Sequence, residues 1–138
     1  MPPVVTCLLV SAGKLLILKR STQVRTYKEY WGGVAGYIEN KEQPYETALK
    51  EIHEEVGLEE ADVRLTTQGE PVKITDMHEG KRYDWVIHPF VFHVKKKEKI
   101  HIDWEHSEYK WISPAEISQY QTVPHLKEIV RQHLQETT

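Results

Sequence analysis

The sequence predicts a mixed α+β domain, an α/β/α sandwich and not a doubly wound parallel sheet. Two observations predict this. β-rich runs lie on both sides of one clear helix, Pro44 to Val56, and a second amphipathic pattern follows near the end of the chain. The 138 residues fit one domain, residues 1–138, which at this size buries roughly two-thirds of its unfolded surface without disulfide or structural metal.

Val4 to Val10 and Leu15 to Leu18 read as strands joined by a hairpin at Ser11-Ala12-Gly13-Lys14. Tyr30 to Ile38 reads as a short strand whose glycines, Gly32, Gly33 and Gly36, suggest a bulge or a close backbone approach. In the central helix Pro44 suits the first helical position and Gly57 the residue past the end. Tyr45, Ala48, Leu49, Ile52 and Val56 form its apolar face. Val63–Leu65, Val72–Thr75 and Trp85–Val94 are further strands, and Pro89 inside the last suggests an edge position or a bulge. Glu108–Ile112 is another. Ser113-Pro114-Ala115-Glu116 is a capping box opening a short helix, and Leu126, Ile129, Val130 and His133 mark the final helix.

A formal charge of −3, from 18 Lys+Arg against 21 Asp+Glu, argues against bulk nucleic-acid binding. No apolar run approaches the ~20 residues needed to span a bilayer. The single cysteine, Cys7, excludes an intramolecular disulfide and suits a reducing, cytoplasmic setting. Cys7 falls in an apolar strand, as a buried structural thiol does.

Glu51, Glu54 and Glu55 stand at i, i+3 and i+4 and so share a helix face, placed by the periodicity on the exposed flank. Like charges at this spacing repel, and the negative end of the helix dipole disfavours them further. A solvated acidic face neutralised by Lys41 or Lys50 is one reading. The other is a set of oxygen ligands for a hard divalent ion, most naturally Mg²⁺, completed by water and phosphate.

The neighbourhood favours the second reading. Gly36-x5-Glu42-x7-Lys50-Glu51-Ile52-His53-Glu54-Glu55-Val56-Gly57-Leu58 resembles the Nudix box of the Nudix (MutT-like) pyrophosphohydrolases, G-x5-E-x7-R-E-U-x-E-E-x-G-U with U apolar. Lys50 departs from the family Arg; it keeps the charge but loses the planar fork, which implies a modified network around the glutamates. Val34-Ala35-Gly36 replaces the frequent Pro-Gly-Gly. Downstream, Glu105-x-x-Glu108-x-x-Trp111 is similar to the family's distal segment. The layout is also similar to the Nudix domain that precedes a sugar-phosphate-isomerase-like domain in some archaeal proteins.

The resemblance implies a Nudix fold with a central catalytic loop-helix and hydrolysis of a nucleoside diphosphate linked to another group, with water as nucleophile. It implies Mg²⁺, or alternatively Mn²⁺, held by Glu51, Glu54, Glu55 and the Gly36 carbonyl. Glu54, Glu55 and Glu105 are the catalytic candidates, with Glu105 the first choice for base and Glu55 the second. Glu42, Lys50 and Gly57 support the box, with Glu42 bracing the helix start or pairing with Lys50. Lys19 and Arg20 are weaker candidates for substrate phosphates, against an ordinary surface role. Trp85 and Phe90 are both candidates to stack a base, and the sequence does not choose between them.

The competing reading is a non-catalytic Nudix-fold module that binds or senses a nucleotide. The intact set of box glutamates favours the enzyme. His53-Glu54-Glu55-Val56-Gly57 lacks the second histidine of a zinc protease, and Cys7 is far from the box for an isoprenoid diphosphate isomerase. Pro71 and Ile74-Thr75-Asp76 do not complete the substrate signatures that follow the box in ADP-ribose or dinucleoside polyphosphate enzymes. A homodimer remains open at this level, because exposed strand residues cannot be told from core ones.

Overall fold

The computed structural model describes residues 1–134; the last four residues of the expected 1–138 domain lie outside the described residues. The elements are β1 (Pro3–Ser11), β2 (Lys14–Arg20), β3 (Trp31–Gly32), β4 (Val34–Tyr37), α1 (Pro44–Val56), β5 (Val63–Gln68), β6 (Val72–His78), β7 (Lys81–Val94), β8 (His106–Ile112) and α2 (Leu126–Leu134). The segment after Ser113 is a 3₁₀ helix, Pro114–Gln119, opened by the Ser113 N–H donating to the Glu116 carboxylate at 2.8 Å. No helix among the described residues is long and apolar enough to cross a membrane.

The strands form one mixed sheet in the order β3-β2-β1-β7-β5, with β8 on β2, β4 on β1 and β6 on β7. The β1–β7 pair is parallel and the others are antiparallel. Side chains alternate across a pleated strand, and here both faces are covered. Val5, Cys7 and Leu9, Leu16 and Leu18, and Phe90, Phe92 and Val94 pack with Ala48, Ile52 and Val56 of α1. Leu8, Leu15 and Ile17, with Ile87 and Val91, pack with Leu126, Ile129 and Val130 of α2. This is the expected α/β/α sandwich, with Cys7 fully buried.

Two expectations are corrected. Tyr30–Ile38 is not one strand: it breaks at Gly33, with β3 pairing to β2 and β4 to β1. Pro89 lies on an interior strand, opposite Thr6 of β1, and not at a sheet edge. Its other side faces the gap where β7 changes partner, from β6 at Val72↔Ile87 to β5 at Gln68↔Phe90. The Pro89 carbonyl accepts from the Gly69 N–H at 2.9 Å. A missing N–H on that side therefore interrupts no ladder.

A second partner change creates the functional geometry. β2 pairs with β1 at the hairpin end, Val10↔Leu15 and Ser11↔Lys14, whereas β4 takes the same edge of β1 from Val4 to Cys7. The two strands part between these stretches, and a cleft opens where they diverge. α1 runs beside β4 and is fixed at both ends. Glu46 accepts from the Gln43 N–H at 3.0 Å. Gly57 closes the helix at φ 75° with its N–H on the His53 carbonyl at 3.0 Å. Besides that left-handed φ, a side chain at Gly57 would overlap the His101 ring.

Candidate active site

The cleft encloses about 360 Å³. β2 brings Arg20 to it, the following loop Tyr27, β4 Gly36, α1 Glu51, and the segment before β8 Glu105. Arg20 is the one Lys or Arg among the described lining residues. Lys19, one residue earlier, is not among them; it is registered opposite Glu108 in the β2–β8 ladder. The alternation along β2 thus separates two residues that the sequence treats together. Glu108 is exposed on β8 and is also absent from the lining.

The three helix carboxylates do not share an exposed face, as the periodicity suggests. Glu55 is 3% exposed, Glu51 is half-buried and Glu54 is exposed. At ~100° per residue Glu55 stands about 20° from Ala48 around the helix, so it borders the apolar stripe. Averaging the three positions conceals this spread. Burial drives the Glu55 carboxyl well above the ordinary carboxylate range, and the neighbouring charge of Glu51, hydrogen-bonded to it, adds to the shift. Burial also raises Glu51, as it does Glu105, where Asp103 contributes and Arg20 opposes. Cys7, beneath this cluster, is raised by burial and then by Glu55 and Glu51.

Gly36 explains how Glu51 enters the cleft. A Cβ there would overlap the Glu51 carboxyl, so only a glycine leaves the space that this carboxylate occupies. Arg20 is fixed from the other side: Nε and Nη2 both donate to the Thr26 carbonyl, at 3.0 and 2.9 Å. Tyr27 anchors that loop. It is buried, its hydroxyl donates to Asp76 at 2.6 Å, and its ring stacks on His78 at 4.1 Å. Burial and then the Asp76 hydrogen bond hold its phenol above the usual range.

Lys50 and Glu42 stand apart from the cleft as a pair. Lys50 Nζ lies 2.9 Å from Glu42 Oε2, and Thr47 Oγ1 donates to Glu42 Oε1 at 2.8 Å. The Lys50 hydrogen bond and then the Thr47 hydroxyl lower the Glu42 pKa. One terminal amine thus ties α1 to the loop before it.

Sequence reasoning missed His106 and Asp103. His106 is buried, with Nδ1 3.0 Å from Asp103 Oδ1 and Nε2 3.7 Å from Glu55 Oε1. Burial lowers the imidazole pKa. The neutral ring then donates Nδ1–H to Asp103, and its bare Nε2 faces Glu55. The i,i+3 spacing of Asp103 and His106 was visible, but the position of Glu55 behind them was not.

The donor set is all oxygen, anionic and crowded, which fits a hard divalent cation. Among the described residues no three His, Cys, Asp or Glu side chains are gathered closely enough to hold a metal ion by themselves. The donors come from two segments facing open space, consistent with an ion that keeps water and phosphate among its ligands.

The fold and site together define a class of protein. The NUDIX domain model matches residues 1–133, and the chain belongs to the Nudix family. Its sheet and helices are the Nudix fold, which it shares with solved MutT-like structures. Among solved structures it is similar to the Escherichia coli dihydroneopterin triphosphate pyrophosphohydrolase, with TM-score 0.80, 16% identity, and coverage of 97% of this chain and 95% of that one. A Caenorhabditis elegans Ap4A hydrolase in a binary complex gives TM-score 0.74 at 15% identity, covering 96% and 94%. A MutT protein from Methanosarcina mazei Go1 gives 0.73 at 22%, covering 95% and 91%. At these identities the likeness is one of fold. No curated protein sequence matches the chain.

Proposed function

We propose that this chain hydrolyses a phosphoanhydride bond in a nucleoside diphosphate derivative, using a divalent cation and water. The observation that carries the reading is the meeting of Glu51 and Glu105 in a cleft whose one Lys or Arg among the described lining residues is Arg20, with Glu55 buried behind them. Carboxylates pushed toward protonation by burial and mutual repulsion store a strong preference for positive charge. Structurally similar proteins named for dihydroneopterin triphosphate and Ap4A support phosphoanhydrides as the substrate class.

In this reading Glu51, Glu54, Glu55 and the Gly36 carbonyl hold Mg²⁺, or Mn²⁺ in its place. When bound, the ion neutralises phosphate oxygens and lowers the pKa of water. Glu105 faces the cleft from the opposite segment and takes a proton from the attacking water, its raised pKa suiting it to that task. Arg20 offers phosphate the N–H groups that Thr26 does not use. His106, fixed by Asp103, packs behind Glu55, and the Lys50–Glu42 pair ties the helix to the loop before it.

The test is a panel of ADP-ribose, nucleoside diphosphate sugars, dinucleoside polyphosphates and nucleoside triphosphates with Mg²⁺, followed by product chromatography. Hydrolysis of at least one is expected. Saturable binding with no hydrolysis of any would overturn the enzyme reading in favour of a sensing module.

A further inference from the structure

The floor of the cleft crosses the sheet. Tyr37 of β4, Val4 of β1 and Ile87 of β7 are in register and all line it, with Ile74 and Trp85 beyond. β4 and β7 flank β1, so the carboxylate side and the Ile87–Trp85 side stand about 10 Å apart, two inter-strand spacings. The first side is charged. The second is apolar and aromatic, and the charged group near it, Asp76, is already accepting from Tyr27.

Resting on the function proposed above, we infer that Trp85 is the platform on which this cleft holds a planar ring, and thus its specificity-determining residue. Trp85 is partly exposed within the cleft. It stacks on Tyr83, with centroids 5.6 Å apart and planes 9° apart, so the indole is held in a fixed plane. The other aromatics have less to offer. Phe90 is fully buried on the α1 side. Tyr27 is buried and already stacked on His78. Tyr37 adjoins Gly36 and stands within electrostatic reach of Arg20, at the phosphate side. A ring on Trp85 places a phosphate chain about 10 Å away, at Arg20 and the glutamates.

The probes are AMP, which has no phosphoanhydride to cleave, and ribose 5-phosphate, which has no base, titrated by calorimetry. AMP should bind the unaltered chain more tightly, by about 5- to 150-fold, the range for stacking one base on an aromatic side chain. Trp85→Ala should remove most of that difference and Trp85→Phe should keep most of it, while Tyr37→Ala should leave it in place. Equal binding of the two probes by the unaltered chain overturns the inference, and this needs no variant to fold. So does an undiminished AMP preference in Trp85→Ala, or its loss in Tyr37→Ala alone. Failure of the hydrolysis panel leaves this comparison intact, so the two proposals fail separately.

Discussion

Glu55 places an ionisable carboxyl where the folded protein disfavours its charge, and the consequence is measurable. Its folded pKa lies well above the ordinary value of 4.5. The folded chain therefore retains a proton that the unfolded chain releases. That contribution to stability is full below about pH 4.5 and is lost as pH rises through the higher folded value. In EDTA at about pH 8, Glu55→Gln should melt at a higher temperature than the parent, with a flatter pH profile. A lower melting temperature across that range would show that the carboxylate is compensated. Glu54 makes the contrast, because its side chain is exposed. Glu54→Gln should abolish turnover while circular dichroism and melting stay unchanged; retained activity would remove Glu54 from the metal set.

At the scale of elements, the loop from Ser21 to Tyr30 is what aims Arg20. Tyr27 and Glu29 both adopt left-handed backbone, at φ 52° and 66°, a strained choice for residues with side chains that surrounding contacts must hold. The Tyr27 hydroxyl on Asp76 supplies one such contact. Tyr27→Phe should cost about 1 kcal/mol of stability. Because Thr26 holds Arg20, the same change should raise KM for a phosphoanhydride substrate more than it lowers kcat. Equal effects on a substrate-free melting curve and no effect on KM would make the tyrosine purely structural. α1 was legible in detail because local chemistry sets its ends: Pro44 at the start, Gly57 at the close. The loop was not, since its shape depends on a hydrogen bond spanning 49 positions of sequence.

Across the whole molecule, folding brings the carboxylates of α1 and the segment before β8 together without enough protein cations to balance them. Cation binding should therefore stabilise the fold. By mass action Mg²⁺ at one hundred times its Kd adds about 2.7 kcal/mol, to be read as a rise in melting temperature. Glu51→Gln should reduce the rise, and an unchanged rise would place the ion elsewhere. The sequence by itself determined the class of sheet, the helix α1 and the register of its glutamates, because periodicity, caps and spacing act over a few residues. Only the tertiary structure decided that Glu55 is buried beside His106, that Arg20 and not Lys19 reaches the cleft, and that Trp85 and not Phe90 lines it. Each of those depends on which strand lies next to which, and strand order is fixed by packing across the sheet between residues far apart in the chain.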